Sequence, residues 1–509
     1  MPPRHGRTPN GWGGLLSGRR LRAAAQRLWL PGLSQVVPFL AGVAVGAVAL
    51  AHHTGKVPAS SEGGDALRCP VRETRLCASG ERSTCLRVAT SPTAWRAAIV
   101  KHCFGGCCVV VNGKAGRVWQ WVGSPIFSGD GAHVAYAARQ GGTWRVVVDE
   151  QPGPPFDRVS LPRFSADSRH LLYIGERGGE CLPVRDGVAG PRFAGSLFSE
   201  LTLSPDGTRT GYVVSYGGNQ SAIIDGRRGP ACDDILTDSI RFSGDSRHVA
   251  YCAQRGRECA VVLDGVSGPP HEDVGPVVFS RDSRHMAFSA RDGGSESLVV
   301  DGQSRWAYAH LSGYGFLGTS ARPVFEARLR PGAISPWCVV VAGQPDPPHE
   351  YVTNLSVSAD GTHVAYAVGC GDSERIVLDG VPGPAYDTVH GLTFSPDGRR
   401  FAHTASDDRG TWVVLDGIGS PRHFSSVRCL TFSEDGLHFV YAARRRGRPA
   451  ESESVVLDGV PGPDYDLTHT PFRFRTHGPL VYVAQKAGAL WRVEQTLPAG
   501  RRERAYRRG

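Results

Sequence analysis

Apolar residues in this chain come in short bursts separated by Gly, Pro, Asp and Asn, and the bursts follow one order that is written about ten times. The order is Phe-Ser-x-Asp-Gly/Ser, an apolar-Ala-Tyr run, a Gly-rich turn, Val-Val-Leu-Asp-Gly, then Pro-Gly-Pro-x-Tyr-Asp. The first element recurs at Phe127, Phe164, Leu203, Phe242, Phe279, Val357, Phe394 and Phe432, with neighbouring copies 37 to 41 residues apart. A period of that length predicts a repeat architecture before any single residue is interpreted.

The copy from Phe394 to Val427 shows the unit most cleanly. Leu392-Thr393-Phe394 reads as a strand, and Ser395-Pro396-Asp397-Gly398 as a turn in which Pro presets φ and Gly takes positive φ. Phe401 to Thr404 continues as a second strand, the chain reverses around Asp407-Asp408-Arg409-Gly410, and Trp412 to Leu415 forms a third. Asp416-Gly417 turns it again, and a short fourth strand is expected near Phe424 to Val427. Four strands in about 38 residues with no helical-period stretch predict one blade of a β-propeller.

Units such as Phe394-Ser395-Pro396-Asp397-Gly398 and Val377-Leu378-Asp379-Gly380 resemble the WD-repeat-like, TolB-type propeller repeats of bacterial envelope proteins, over about residues 84–494. No unit carries the Trp-Asp dipeptide or Gly-His pair of eukaryotic WD repeats, so their hydrogen-bond tetrad is not implied.

Weaker copies extend the count. Thr90-Ser91-Pro92 with Val109-Val110-Val111-Asn112-Gly113 keeps register with the next unit, and Phe316 begins another that ends in Val339-Val340-Val341-Ala342-Gly343. At the far end Phe474, Val481-Tyr482-Val483 and Trp491-Arg492-Val493 supply three strands of a unit, and Cys85-Leu86-Arg87-Val88 is expected to provide the outer one. The fold class is therefore all-β, an array of about ten or eleven four-stranded repeats. That count exceeds the ~4–8 blades usual for one propeller and leaves one large ring, or two rings divided near residues 303–350, both open.

Charge changes the picture at the ends. Residues 1–35 hold six Arg and no acid, and residues 500–509 hold five Arg against Glu503; removing these tails from the formal +9 leaves the array near neutral, at about −1. A nucleic-acid-binding face is not expected on that balance. Residues 28–51 carry no charge, and the apolar run 36–51 follows Arg19, Arg20, Arg22 and Arg27. This predicts an N-terminal transmembrane anchor with a cytoplasmic leader and the repeats outside the cytoplasm. A cleaved signal segment, with small-x-small sites at Ala47-Val48-Ala49 and Ala49-Leu50-Ala51, is the alternative, giving a secreted product. The expected organisation is leader 1–35, anchor 36–51, Cys-containing linker 52–83, array 84–494 and basic tail 495–509.

The 13 cysteines include a cluster at Cys69, Cys77, Cys85, Cys103, Cys107 and Cys108, for which disulfides suit an exported chain and no standard zinc spacing is present. If Arg255-Gly256 is a two-residue hairpin turn, Cys252 and Cys259 oppose each other and form a candidate disulfide. His133, His170, His248, His285, His363 and His438 share one repeat position that Arg209 and Arg400 also occupy, which favours a polar rim residue over a metal circle. The Asp-Gly pairs at Asp186, Asp225, Asp264, Asp301, Asp379, Asp416 and Asp458 suit hairpin turns better than calcium ligation.

The chain has no Gly-x-Ser-x-Gly elbow, no His-Glu-x-x-His and no phosphate-binding Gly loop. No catalytic, cofactor or metal residues are assigned on this basis, and no enzyme activity is expected. The expected function is binding or scaffolding of a protein partner in the cell envelope, with a propeller enzyme acting on carbohydrate or peptide at the channel mouth as the alternative.

Overall fold

The computed structural model describes residues 70–77, 85–91, 96–197, 199, 201–332, 336–421, 423–445, 452–474 and 478–497. The leader, the apolar run 36–51, Cys69 and residues 498–509 lie outside the described residues. Among the described residues there is no helix, and so none long and apolar enough to cross a membrane.

Eleven antiparallel sheets follow one another along the chain, beginning with blade 1, Cys85–Thr90 to Lys114–Ala115. In blade 9 the strands run Thr388–Phe394, Phe401–Asp407, Gly410–Leu415 and Ile418–Gly419, paired in that order. The fourth strand is thus earlier and shorter than expected: Phe424 makes only an isolated bridge to Thr411, and Val427 already belongs to the first strand of blade 10, Ser426–Phe432. The first strands of blades 8, 9 and 10 contact one another in succession, which places them on the inner side.

The middle strands explain the apolar-Ala-Tyr runs. In Val134–Gln140 the residues Val134, Ala135, Tyr136, Ala137 and Ala138 are all buried, because a propeller blade is covered on both faces by its neighbours. Side chains alternate between those neighbours. Tyr136 and Ala138 pack with Val100 and Val109 of blade 1, whereas Ala135 packs with Tyr173 and Val184 of blade 3. Eleven such apolar clusters join the eleven blades, and one, containing Ile99, Cys108, Val483 and Leu490, joins blade 11 to blade 1. The array is one closed ring of eleven blades. Residues 303–350 do not divide it; blade 7 packs on blade 6 through Phe325 and Leu298 and on blade 8 through Val339 and Tyr366.

Closure is made by a strand from the expected linker. Val71–Cys77 pairs antiparallel with Ala489–Gln495, Val71 opposite Gln495, and completes the last blade after Leu467–Phe474 and Leu480–Lys486. Cys85–Thr90, expected in that role, is instead the first strand of blade 1. Tyr465 of blade 10 donates its hydroxyl to Glu73 at 2.8 Å, and Thr496 N–H reaches Pro70 O at 2.9 Å. These bonds fix the register of the closing strand.

Candidate functional site: the histidine and aspartate face

One end of blades 2 to 6 and 8 to 10 carries the Ser-x-Asp turn, and its chemistry is local. In blade 2 Ser128 Oγ donates to Asp130 Oδ1 at 2.5 Å and accepts the His133 N–H at 2.9 Å, while Asp130 Oδ1 also accepts the Ala132 N–H. Serine and aspartate two residues apart thereby satisfy the backbone donors of the turn. The same bonds recur from Ser165 to Asp167, Ser243 to Asp245 and Ser395 to Asp397. At Asp206 the cost of partial burial is outweighed by hydrogen bonds from Ser204, Thr208 and Ser246, which hold its carboxyl down at about 2.

The Asp-Gly pairs form the next hairpin on this face. Asp225 and Gly226 have φ of 50° and 74°, the pair of left-handed residues that a type I′ turn requires. Asp225 then reaches back: Oδ1 accepts the Thr210 N–H at 2.8 Å and Oδ2 takes Arg209 Nε at 2.8 Å. Its repeat equivalents do the same with histidine, His133 Nδ1 lying 2.7 Å from Asp149 and His170, His248, His285, His363 and His438 lying 2.7 to 2.8 Å from their aspartates. Among the described residues no three His, Cys, Asp or Glu side chains are grouped to hold a metal ion.

The interchange of histidine and arginine has a second cause. His363 stacks on Phe394 of the following blade at 6.3 Å and 21°, and His438 on Phe474 at 6.3 Å and 19°. Arg209 and Arg400 place their guanidinium groups over Phe242 and Phe432 of the following blade at 5.2 and 5.6 Å. A flat, hydrogen-bonding group that pairs with a carboxylate and lies on an aromatic face fits this position, and both residue types qualify. In blades 4, 6, 8, 9 and 10 the His/Arg, its Asp and a Phe of the following blade thus form a staple from one blade to the next. Phe127, Phe164, Phe242, Phe279 and Phe394 are partly buried against these interfaces, and Phe432 is buried.

Two further inter-blade bonds escape a reading of the repeat alone. Where Ser replaces the turn Gly, at Ser168, Ser246 and Ser283, the residue keeps positive φ (64°, 65° and 62°) and its Oγ accepts the N–H of Asp130, Asp206 or Asp245 in the preceding blade. The Gly/Ser alternation at one repeat position is the signal for it. In blades 6, 8 and 10 a third-strand carboxylate, Glu296, Glu374 or Glu453, accepts the N–H of Leu311, Val389 or Thr468 in the next blade's first strand. Glu453 is almost wholly buried and held by Arg428 Nε at 2.7 Å and Nη2 at 2.6 Å. Burial works against its charge, but Arg428 and Thr468 outweigh it and lower its pKa.

The candidate disulfide pair sits in blade 5 in a different register. Gly256 has φ of 62°, as the first central residue of a type II′ turn requires, so the loop is Gly256-Arg257 and not Arg255-Gly256. Cys252 consequently faces Val261 and Cys259 faces Gln254; the two thiols lie diagonally on one face, both free. Burial raises both, Cys252 to about 12. Cys259 also borders a cleft of about 200 Å³ with Cys232, Tyr251 and Pro270. Burial raises the Cys232 thiol as well, so these sulfurs lack the thiolate character of a nucleophile.

The fold and this face define an eleven-bladed β-propeller. No protein-family profile and no curated protein sequence matches the chain. Among solved structures it is similar to a eukaryotic initiation factor, at 11% identity and a TM-score of 0.40, over 72% of this chain and 99% of the other. It is also similar to TolB from Acinetobacter baumannii, at 14% identity and a TM-score of 0.23 over 50% and 64% of the two chains. The β-propeller domain of Cps50 (Swd1) from Myceliophteria thermophila, at 11% identity and a TM-score of 0.25 over 56% and 98%, is a third.

Proposed function

We propose that this protein is a membrane-anchored, extracytoplasmic propeller that binds or scaffolds a protein partner and performs no chemistry of its own. The observation that carries this reading is the employment of the recurring polar residues. The His, Arg, Asp, Ser and Phe of the repeat staple one blade to the next, and the carboxylates that suggest chemistry are bonded to backbone N–H groups and cations. Exposed loops and rims are the surfaces on which propellers of one architecture differ in partner. The charge-free run 36–51 beside an Arg-only leader supports the anchor and the outward orientation.

In vivo crosslinking of intact envelopes followed by purification tests the reading. A stoichiometric protein partner is the expected result. Turnover in a panel of glycans and peptides, with no partner recovered, would replace it by the enzyme. Protease added to intact spheroplasts should digest the array and spare the leader; an array protected until lysis would refute the orientation.

A further inference from the structure

We infer that the surface around Trp121, where blade 1 meets blade 2, is the docking site for an acidic polypeptide segment that carries an apolar side chain between its carboxylates. This rests on the binding-module reading and names where and by what chemistry the partner is held.

Its centre is a row across blade 2. Trp121 lies opposite Arg139, and Arg139 opposite Trp144, on adjacent strands. The two indole rings meet edge to face at 5.0 Å, with Arg139 Cζ 5.8 Å from the Trp144 ring. From blade 1, Arg87 reaches over Trp121 with Cζ at 6.0 Å and bonds Ser124 Oγ at 3.2 Å. Gly123 makes room for the Trp121 ring, since a Cβ there would come within 3.3 Å of it. The ring is held in place and still 39% exposed. Large aromatic surface fixed beside guanidinium groups and left in water is the composition of a binding hot spot rather than of a solvated rim.

Charge decides what the site accepts. Several arginines of the ring are matched with carboxylates, as in Arg209 with Asp225, Arg400 with Asp416 and Arg428 with Glu453. Arg87 and Arg139 have no carboxylate partner among the described residues. Beside these cations lies the exposed indole of Trp121. The surface therefore sets free guanidinium groups against exposed indole. Carboxylates satisfy the first and an aliphatic or aromatic side chain the second, which a polypeptide offers together and a polyanionic glycan does not.

The test uses the full chain in nanodiscs and a fluorescein-labelled peptide of alternating Glu and Leu, read by anisotropy. Saturable binding that weakens as salt rises is expected, with no binding of a peptide in which Lys replaces Glu. The double variant Arg87→Ala/Arg139→Ala, and separately Trp121→Ala, should each weaken binding by about tenfold or more. Trp121→Tyr and thermal melts of all variants separate loss of the surface from loss of the fold. Absent binding, or affinity unchanged in the double variant, overturns the inference. Polygalacturonate binding more tightly than the peptide through the same residues overturns the peptide class in favour of an anionic glycan. A crosslinked partner recovered equally from wild type and the double variant refutes this site and leaves the scaffold reading standing. Peptide binding lost in the variants, with no partner in envelopes, supports the site and refutes that reading.

Discussion

His403 gives the sharpest test of how the blades hold together. Its repeat position is occupied by tyrosine in most blades, among them Tyr136, Tyr173, Tyr212, Tyr251, Tyr366, Tyr441 and Tyr482. The imidazole is 6% exposed, packed between Tyr386 of blade 8 and Phe401, with ring centroids 5.9 and 5.7 Å away, and both its nitrogens are buried without a partner. Desolvation disfavours the charged form and lowers the pKa from 6.5 to about 4. Because the folded-state pKa is the lower one, the unfolded chain takes up the proton first as pH falls. The neutral histidine contributes its full stability above pH 6.5, and that contribution drains away between pH 6.5 and 4. A shift of this size corresponds to about 3 kcal/mol over the whole window, and to about 2 kcal/mol by pH 5. His403→Tyr removes the titration and restores the residue that sibling blades carry. Thermal or urea unfolding of both proteins from pH 7.5 to 5.0 cancels the other histidines, which are common to both. The gap between them should widen by about 2 kcal/mol at the acid end, with hydrogen exchange accelerating first in blades 8 and 9. Parallel stability curves, or an NMR titration that places the His403 pKa near 6.5, would refute the argument.

Ser246→Ala should destabilise the ring by about 1 kcal/mol or more in urea unfolding, because it loses the bond to Asp206 N–H and keeps a β-carbon at positive φ; Ser246→Gly should cost less, since relief of the backbone offsets part of the lost bond. Arg428→Ala leaves the buried Glu453 carboxylate with only Arg444, 4.0 Å away, and should cost about 3 kcal/mol, measured the same way, whereas Arg428→Lys recovers only part of a two-nitrogen contact. That Arg428–Glu453 contribution is present above the unfolded carboxyl pKa of 4.5 and lost as pH falls below it, because the folded value is lowered. Deletion of residues 70–77 should leave the third strand of blade 11 unpaired and open the ring, detected as earlier proteolysis within Leu467–Phe474 and Ala489–Gln495; unchanged protease resistance would contradict closure by this strand.

What the sequence by itself determined is local. The period, the Ser-x-Asp turns and the Asp-Gly hairpins follow from φ preferences and from bonds between residues two to five apart, such as Ser395 with Asp397 and Arg400, so each is written within a few positions. The equivalence of the six histidines with Arg209 and Arg400 was legible as a pattern, and so was its likeness to a rim. The cause was not: His363 and Arg400 are chosen by a phenylalanine of the next blade, which only packing brings over them. The Cys252 register moved because Arg255-Gly256-Arg257 contains two possible two-residue loops, and the positive φ of Gly256 at the first central position selects one, shifting each cross-strand partner by two residues. Tertiary structure alone decided the blade number and the closure. Each blade buries both faces, so the ring ends only where blade 11 meets blade 1, and it is sealed by pairing Val71 with Gln495 across nearly the whole chain. No local preference encodes that pairing; it exists because eleven stacked interfaces bring the two ends together.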